Sequence, residues 1–316
     1  MEKRKKEKQL WEACRDGKVE EVRKLLQNNR ININWQDDEH SRTALSTACN
    51  EGHIEIVKLL LNDNRIDINK AENGGETPFN VACEKGSTEI VELLLNDKRV
   101  DINKVSKFQA TPFWNACYEG HIEIVKLLLD DDRIDINKPN KNNLTPFSNV
   151  CGNGHPEIVK LLLSDKRIID INTADNQWGK TSFYEACKNR HIEIVKLLLN
   201  DERVDINKAN KNGETPFYDA CNNGSVEVVE QILASGRKVA LNAKNKKKKT
   251  PIDIARERGN KKESWESEEE FENRKRNCLQ IIELIKSFER NPNETRTKLR
   301  MQLGFIGKFF VIFFKT

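Results

Sequence analysis

The chain lacks any decisive excess of charge. Its 316 residues carry 54 basic and 50 acidic side chains, and a net charge of +4 is too small to argue for a nucleic-acid protein by itself. Long apolar runs are missing too. The stretch Leu303–Phe314, LGFIGKFFVIFF, is interrupted by Lys308 and falls short of the about 20 residues that a bilayer crossing needs. The opening MEKRKKE has none of the apolar core of a secretory leader, so an intracellular chain is expected. No nucleophile elbow, phosphate loop, HExxH helix or paired-carboxylate motif occurs. The sequence therefore names no catalytic residue, no cofactor and no metal site, and a non-enzyme is expected.

What is present is repetition. Thr43, Thr77, Thr111, Thr145, Thr181, Thr215 and Thr250 are spaced 34, 34, 34, 36, 34 and 35 residues apart. A fixed period of that size marks a repeat array. Each Thr suits a helix N-cap, and the Pro that usually follows fits the first helical position. Phe79, Ala82 and Cys83 then share one face of a short helix, and Gly86 ends it. In the second helix, HIEIVKLLLN, the apolar positions Ile122, Ile124, Val125, Leu127, Leu128 and Leu129 cover more than half the circumference. Such a helix needs cover on nearly all sides, which stacking of identical pairs supplies. Asp-x-Arg, Ile-Asp-Ile-Asn and a polar, Asn-Gly-containing loop close the unit as a short hairpin or extended turn.

A period near 34 also suits tetratricopeptide repeats, whose first-helix Trp and Leu-Gly are absent here. The order Thr-Pro-apolar, Ala, Gly-His, aliphatic helix and Asp-Ile-Asn closely resembles the ankyrin repeat, from about Lys8 to Arg290. The resemblance implies an all-α ankyrin-repeat solenoid of about seven helix-turn-helix repeats joined by β-hairpin-like loops. Two features depart from the family pattern. The usual His after Thr-Pro-Leu is replaced by Ser46, Asn80, Trp114, Ser148, Tyr184 and Tyr218, and the usual Gly-Ala gives way to a longer Asp-x-Arg.

In chain order, residues 1–7 form a charged lead-in with no reason to be ordered. The array runs over 8–290, with repeats near 8–36, 37–70, 71–104, 105–138, 139–173, 174–208 and 209–243. A C-terminal cap over 244–290 carries a charged insertion, 261–277. The tail, 291–316, has no assigned structure. Its apolar end is read as the truncated start of another element or a misplaced chain end, with a membrane contact through 303–314 as the lesser alternative. The fifth join has two extra residues, around Ile168-Ile169 and Gln177-Trp178.

Cys14, Cys49, Cys83, Cys117, Cys151, Cys187 and Cys221 fall at one equivalent position per repeat. In stacked repeats such positions lie about 10 Å apart, beyond the roughly 7 Å reach of a disulfide. Buried, reduced thiols and a cytoplasmic or nuclear setting are expected. His53, His121, His155 and His191 recur at the turn before the second helix, where the resemblance implies a hydrogen-bonding role that closes that turn. The hairpin residues Asn69, Asn103, Asn137, Asn172 and Asn207 are expected to tie down the loop backbone. In related repeats the same Asn is a hydroxylation substrate, and the structural role is the one expected here.

The resemblance implies binding through the concave face of hairpin tips and first helices. There the chain places Phe108, Trp114, Tyr118, Trp178, Tyr184 and Tyr218, residue types that dominate interface hot spots. The competing reading packs Trp114, Tyr184 and Tyr218 between neighbouring first helices. The expected function is a monomeric, non-catalytic interaction module for a protein partner. The alternative is a nuclear or nucleic-acid-associated adaptor that uses the basic N-terminus and the basic patch Lys244, Lys246, Lys247, Lys248 and Lys249.

Overall fold

The computed structural model describes residues 2–305, so the apolar segment beyond Phe305 lies outside the described residues. Helices follow one another in pairs. The first pairs are α1 (Glu2–Arg15) with α2 (Val19–Leu26), α3 (Ala44–Glu51) with α4 (Ile54–Leu61), and α5 (Pro78–Lys85) with α6 (Thr88–Leu95). Next come α7 (Pro112–Glu119) with α8 (Ile122–Leu129), α9 (Pro146–Asn153) with α10 (Pro156–Ser164), and α11 (Ser182–Lys188) with α12 (Ile192–Leu199). The series closes with α13 (Pro216–Asn222) and α14 (Val226–Ala234), α15 (Pro251–Asn260) and α16 (Glu268–Arg290), and a final α17 (Pro292–Gln302). Among the described residues there is no strand, and a single isolated bridge joins Gln36 to Thr43. The hairpin-like loops are thus turns without a ladder.

The chain divides into two compact units, unit 1 comprising residues 1–149 with 164–168, and unit 2 comprising 150–163 with everything from 169 onward. In unit 1 the first helices α1, α3, α5 and α7 stack in order, and behind them α2, α4, α6 and α8 do the same. In unit 2, α11, α13 and α15 stack, as do α12 and α14.

All seven repeat threonines cap their helices. Each side-chain oxygen accepts the backbone N–H three residues on, at 3.0–3.4 Å. The second helices α4, α6, α8, α10, α12 and α14 each sink one aliphatic triplet completely, such as Ile90, Val91 and Leu94 in α6 or Ile124, Val125 and Leu128 in α8, while α2 buries only Val22. Ile122, Leu127 and Leu129 are half-buried. The apolar arc is therefore covered on one side, and the flanks keep contact with water. Burying an aliphatic side chain contributes about 1.5–3 kcal/mol, against about 0–1 kcal/mol for an exposed ion pair. The core, and not the many surface pairs, holds the stack. All eight cysteines are buried and unbridged, with burial alone pushing the Cys14 thiol up to about 12.

Three kinds of polar side chain staple neighbouring repeats to one another. His53, His121 and His191 do not close their own turns. Their Nε2 atoms reach the carbonyls of Arg15, Glu84 and Gly152, at the ends of the preceding first helices, at 2.8–3.1 Å. The Asn side chains also bridge repeats: Asn69 donates to Arg99 O at 2.7 Å and accepts from Asp101 N at 2.8 Å. Asn103 and Asn207 repeat both bonds on the next loop, and Asn34 is an additional first copy.

The third staple explains the lengthened Asp-x-Arg. Asp97 grips Arg99 through Nε and Nη2, and Arg99 Nη2 then donates to Leu61 O, the free carbonyl at the end of α4, at 2.8 Å. Arg65, Arg133, Arg167 and Arg203 do the same at Leu26, Leu95, Leu129 and Leu163. A cation here satisfies orphan carbonyls at the negative end of a helix. The paired arginine, in turn, holds Asp63, Asp97, Asp131, Asp165 and Asp201 below the ordinary carboxylate value.

The described residues before the first repeat and after Arg290 are more ordered than the sequence suggested. Residues 2–7 belong to α1, where Glu7 is buried and accepts from Asn32 N at 3.2 Å. At the other end α17, from the stretch given no structure above, packs on α14 and α16. Its Arg300 Nε donates to Ala234 O at 2.8 Å, which supplies α14 with the arginine that a further repeat would bring. The charged insertion folds into a pinned loop and then joins the apolar helix in one continuous α16.

Arg274 fastens that loop to Glu266 at 2.7 Å, with both side chains nearly buried. The bond to Arg274 holds the Glu266 carboxyl at about 2, below its ordinary 4.5. A carboxyl lowered on folding adds stability above its unfolded value and loses it as pH falls through the folded one. Thermal melts are therefore expected to lose this contribution between about pH 4.5 and 2. In Glu266→Gln the acid limb of the Tm-against-pH curve should be correspondingly shallower. An identical limb in the two proteins would show that the pair adds nothing.

Candidate interaction surface

The loop tips are joined to one another by backbone. In unit 1, Asn73 N donates to His40 O, Lys107 N to Gly74 O and Lys141 N to Phe108 O, at 2.8–2.9 Å. In unit 2, Lys211 N donates to Trp178 O and Lys246 N to Asn212 O, both at 2.8 Å. A polar side chain also anchors most tips from inside. Asp175 Oδ1 takes the amides of Gln177 and Trp178, and Asn245 Oδ1 takes those of Lys247 and Lys249. Loops bonded this way are preorganised, so little ordering entropy is lost when something docks.

The six aromatic positions separate into two kinds. In unit 1, Phe108 is 57% exposed at a tip, with Lys141 Nζ at 3.6 Å from its ring centroid. Trp114 and Tyr118 lie one helical turn apart on α7 and stack, with centroids at 5.3 Å and planes 12° apart. Trp114 is half-buried and donates through Nε1 to Leu144 O at 2.9 Å, while Tyr118 is 47% exposed. The 140–144 loop is bonded to both groups, through Lys141 N to Phe108 O and through Leu144 O to Trp114 Nε1. In unit 2, Trp178 is 53% exposed on its tip. The extra residues of the fifth join thus put Ile169 and Trp178 in contact with water.

Tyr184 and Tyr218 are corrections. They are 1% and 4% exposed, and their hydroxyls accept from Asn210 and Asn245 at 3.0 Å. Burial pushes both phenols up, Tyr218 to about 12. Each replaces the family His with a ring that packs towards the next repeat and grips the Asn anchoring its loop. Hidden side chains of this kind cannot serve as contact hot spots. The periodic anchors Asn140, Asn210 and Asn245 were visible in the sequence as Asn-Lys pairs, as was the repeating Arg. The Asn anchors look like ordinary loop polarity, and the Asp-x-Arg stands out only as a departure from the family pattern, without showing its partner. The basic patch is largely free: Lys244, Lys246, Lys247 and Lys248 are exposed, and Lys249 pairs with Glu257.

Comparison with known proteins agrees with this architecture. Family models for ankyrin repeats match residues 2–72, 67–140 and 113–210 in the three-copy form, and 200–255 in the many-copy form. No curated protein matches the chain. Among solved structures, the chain is similar to the ankyrin repeat domain of Bcl-3, a unique member of the IkappaB protein family. The match has 23% identity and a TM-score of 0.59, covering 68% of this chain and 95% of that one. Among the described residues, no helix is long and apolar enough to cross a membrane.

Proposed function

This chain belongs to the ankyrin repeat family, and from that premise we propose that it is a non-catalytic interaction module. It acts as a monomer, and a partner protein docks on the aromatic surface of unit 1. Ankyrin repeats are protein-interaction modules. The observation that carries the choice of surface is the stacked Trp114–Tyr118 pair on α7, together with the exposed Phe108, both bonded to the 140–144 loop through Trp114 and Phe108 O. Rings fixed in advance supply contact area at small conformational cost, and Trp and Tyr are favoured hot-spot residues. Trp178 offers a second anchor on unit 2. Eight buried, unbridged thiols support a reducing compartment, cytoplasm or nucleus.

Affinity capture with the full chain as bait tests the reading. Phe108→Ala and Tyr118→Ala are each expected to weaken recovery of the captured protein by about 1–3 kcal/mol. Their melting temperatures should stay near wild type, because exposed side chains leave no cavity. Tyr184→Phe should leave capture intact. Equal capture by the Phe108 and Tyr118 variants would move the docking surface elsewhere.

A further inference from the structure

The tips of unit 2 carry charge of one sign. Lys208, Lys211, Lys244, Lys246, Lys247 and Lys248 are exposed, and among the described residues none of the six enters an ion pair. Two half-buried acids of these loops are taken up by loop groups. Asp175 is taken up by its loop amides, and Glu214 accepts from Asn210 Nδ2 at 2.9 Å. The bonds Lys211 N to Trp178 O and Lys246 N to Asn212 O hold the three tips in a row, with the exposed indole at one end.

Lys248 has φ +61° two residues before its capping Thr, a left-handed position that other loops fill with Gly75, Gly179 and Gly213 or with Ser41, Gln109 and Asn143. Glycine in three sister loops means that Lys248 can be replaced by Gly without straining the backbone.

We propose that these lysine tips, together with Trp178, form a docking site for an acidic peptide segment. The segment would be an extended run of Asp and Glu carrying one apolar residue for the indole. Three features favour carboxylates over nucleic acid. The tips hold no arginine, the side chain whose planar fork suits phosphates and base edges. They expose one ring, where single-stranded nucleic acid uses a succession of stacking platforms. Ammonium groups on separate loops act as point charges, and a flexible acidic chain can match their spacing. The site depends on the interaction-module reading for the class of partner, and lies apart in sequence from the aromatic surface of α7.

The test is fluorescence anisotropy with the full chain and a labelled peptide of about eight glutamates around one leucine. A glutamine version and a single-stranded oligonucleotide of equal charge serve as controls, at low and raised salt. The glutamate peptide should bind saturably and weaken as salt is raised. The double variant Lys246→Gln/Lys247→Gln should lose about tenfold or more in affinity, and Trp178→Ala severalfold. Lys248→Gly is the sharpest arm, because it should weaken binding without lowering the Tm. Phe108→Ala should leave this binding unchanged, so the two surfaces can fail separately. Three results would each overturn the proposal: no saturable binding at low salt, equal binding of the glutamine peptide, or lysine variants that bind like wild type. Tighter binding of the oligonucleotide would assign the tips to nucleic acid instead.

Discussion

Leu128→Ala is expected to destabilise unit 1 by about 2–5 kcal/mol. Leu128 is fully buried on α8, which packs on α7 and α6, and alanine would leave a cavity that a repeat stack cannot readily collapse. Leu127, one residue earlier in the same Leu-Leu-Leu run, is half-buried, and its alanine variant should lose markedly less. The contrast matters because both residues look equivalent by composition. Stability in such arrays is roughly a sum of repeat and nearest-neighbour terms, so a weak central repeat should also broaden or divide the unfolding transition. Denaturant melts of both variants give the answer. A larger loss at Leu127 than at Leu128 would mean that the helix is rotated from the packing described here.

The second large effect is expected at Gly86. Its φ of +77° ends α5 in the left-handed region, and a Cβ there would come 2.7 Å from His121 Cε1. Gly86→Ala therefore combines two penalties. The left-handed backbone costs about 1–2 kcal/mol for a residue with a side chain. Displacing the imidazole would break its 2.8 Å bond to Glu84 O, a further loss of about 1 kcal/mol. The total is about 2–3 kcal/mol, and a double-mutant cycle separates the parts. In a His121→Ala background, Gly86→Ala should lose only the backbone share. If the penalty is the same in both backgrounds, the ring does not depend on the missing Cβ.

This Gly–His pair shows how far the sequence could be read. Gly86 is legible as a left-handed helix end, and His121 as part of the recurring Gly-His dipeptide that begins at Gly120. The His partner was not legible, because the preceding repeat lies over thirty residues away and a period says nothing about which atoms face each other. The family pattern implies a bond inside one turn, and the structure places it between repeats. The same displacement applies to Asn69 and its copies, whose bonds bridge to the next loop.

The sequence by itself determined the period, the helix pairs and the family. Those follow from local rules, in which Thr caps, Pro starts, Gly stops and aliphatics recur every third or fourth residue. They need no knowledge of the neighbour. Tertiary structure decided what each departure from the family pattern does. Tyr184 and Tyr218 stand at the position of Trp114 in the repeat, yet they are buried while Trp114 keeps one side open to stack on the exposed Tyr118. The difference lies in the next loop. There Asn210 and Asn245 offer an amide to a phenol, while the 140–144 loop offers the indole a carbonyl at Leu144. Exposure is a property of two repeats together, and so is the arginine that closes a helix in the repeat before its own.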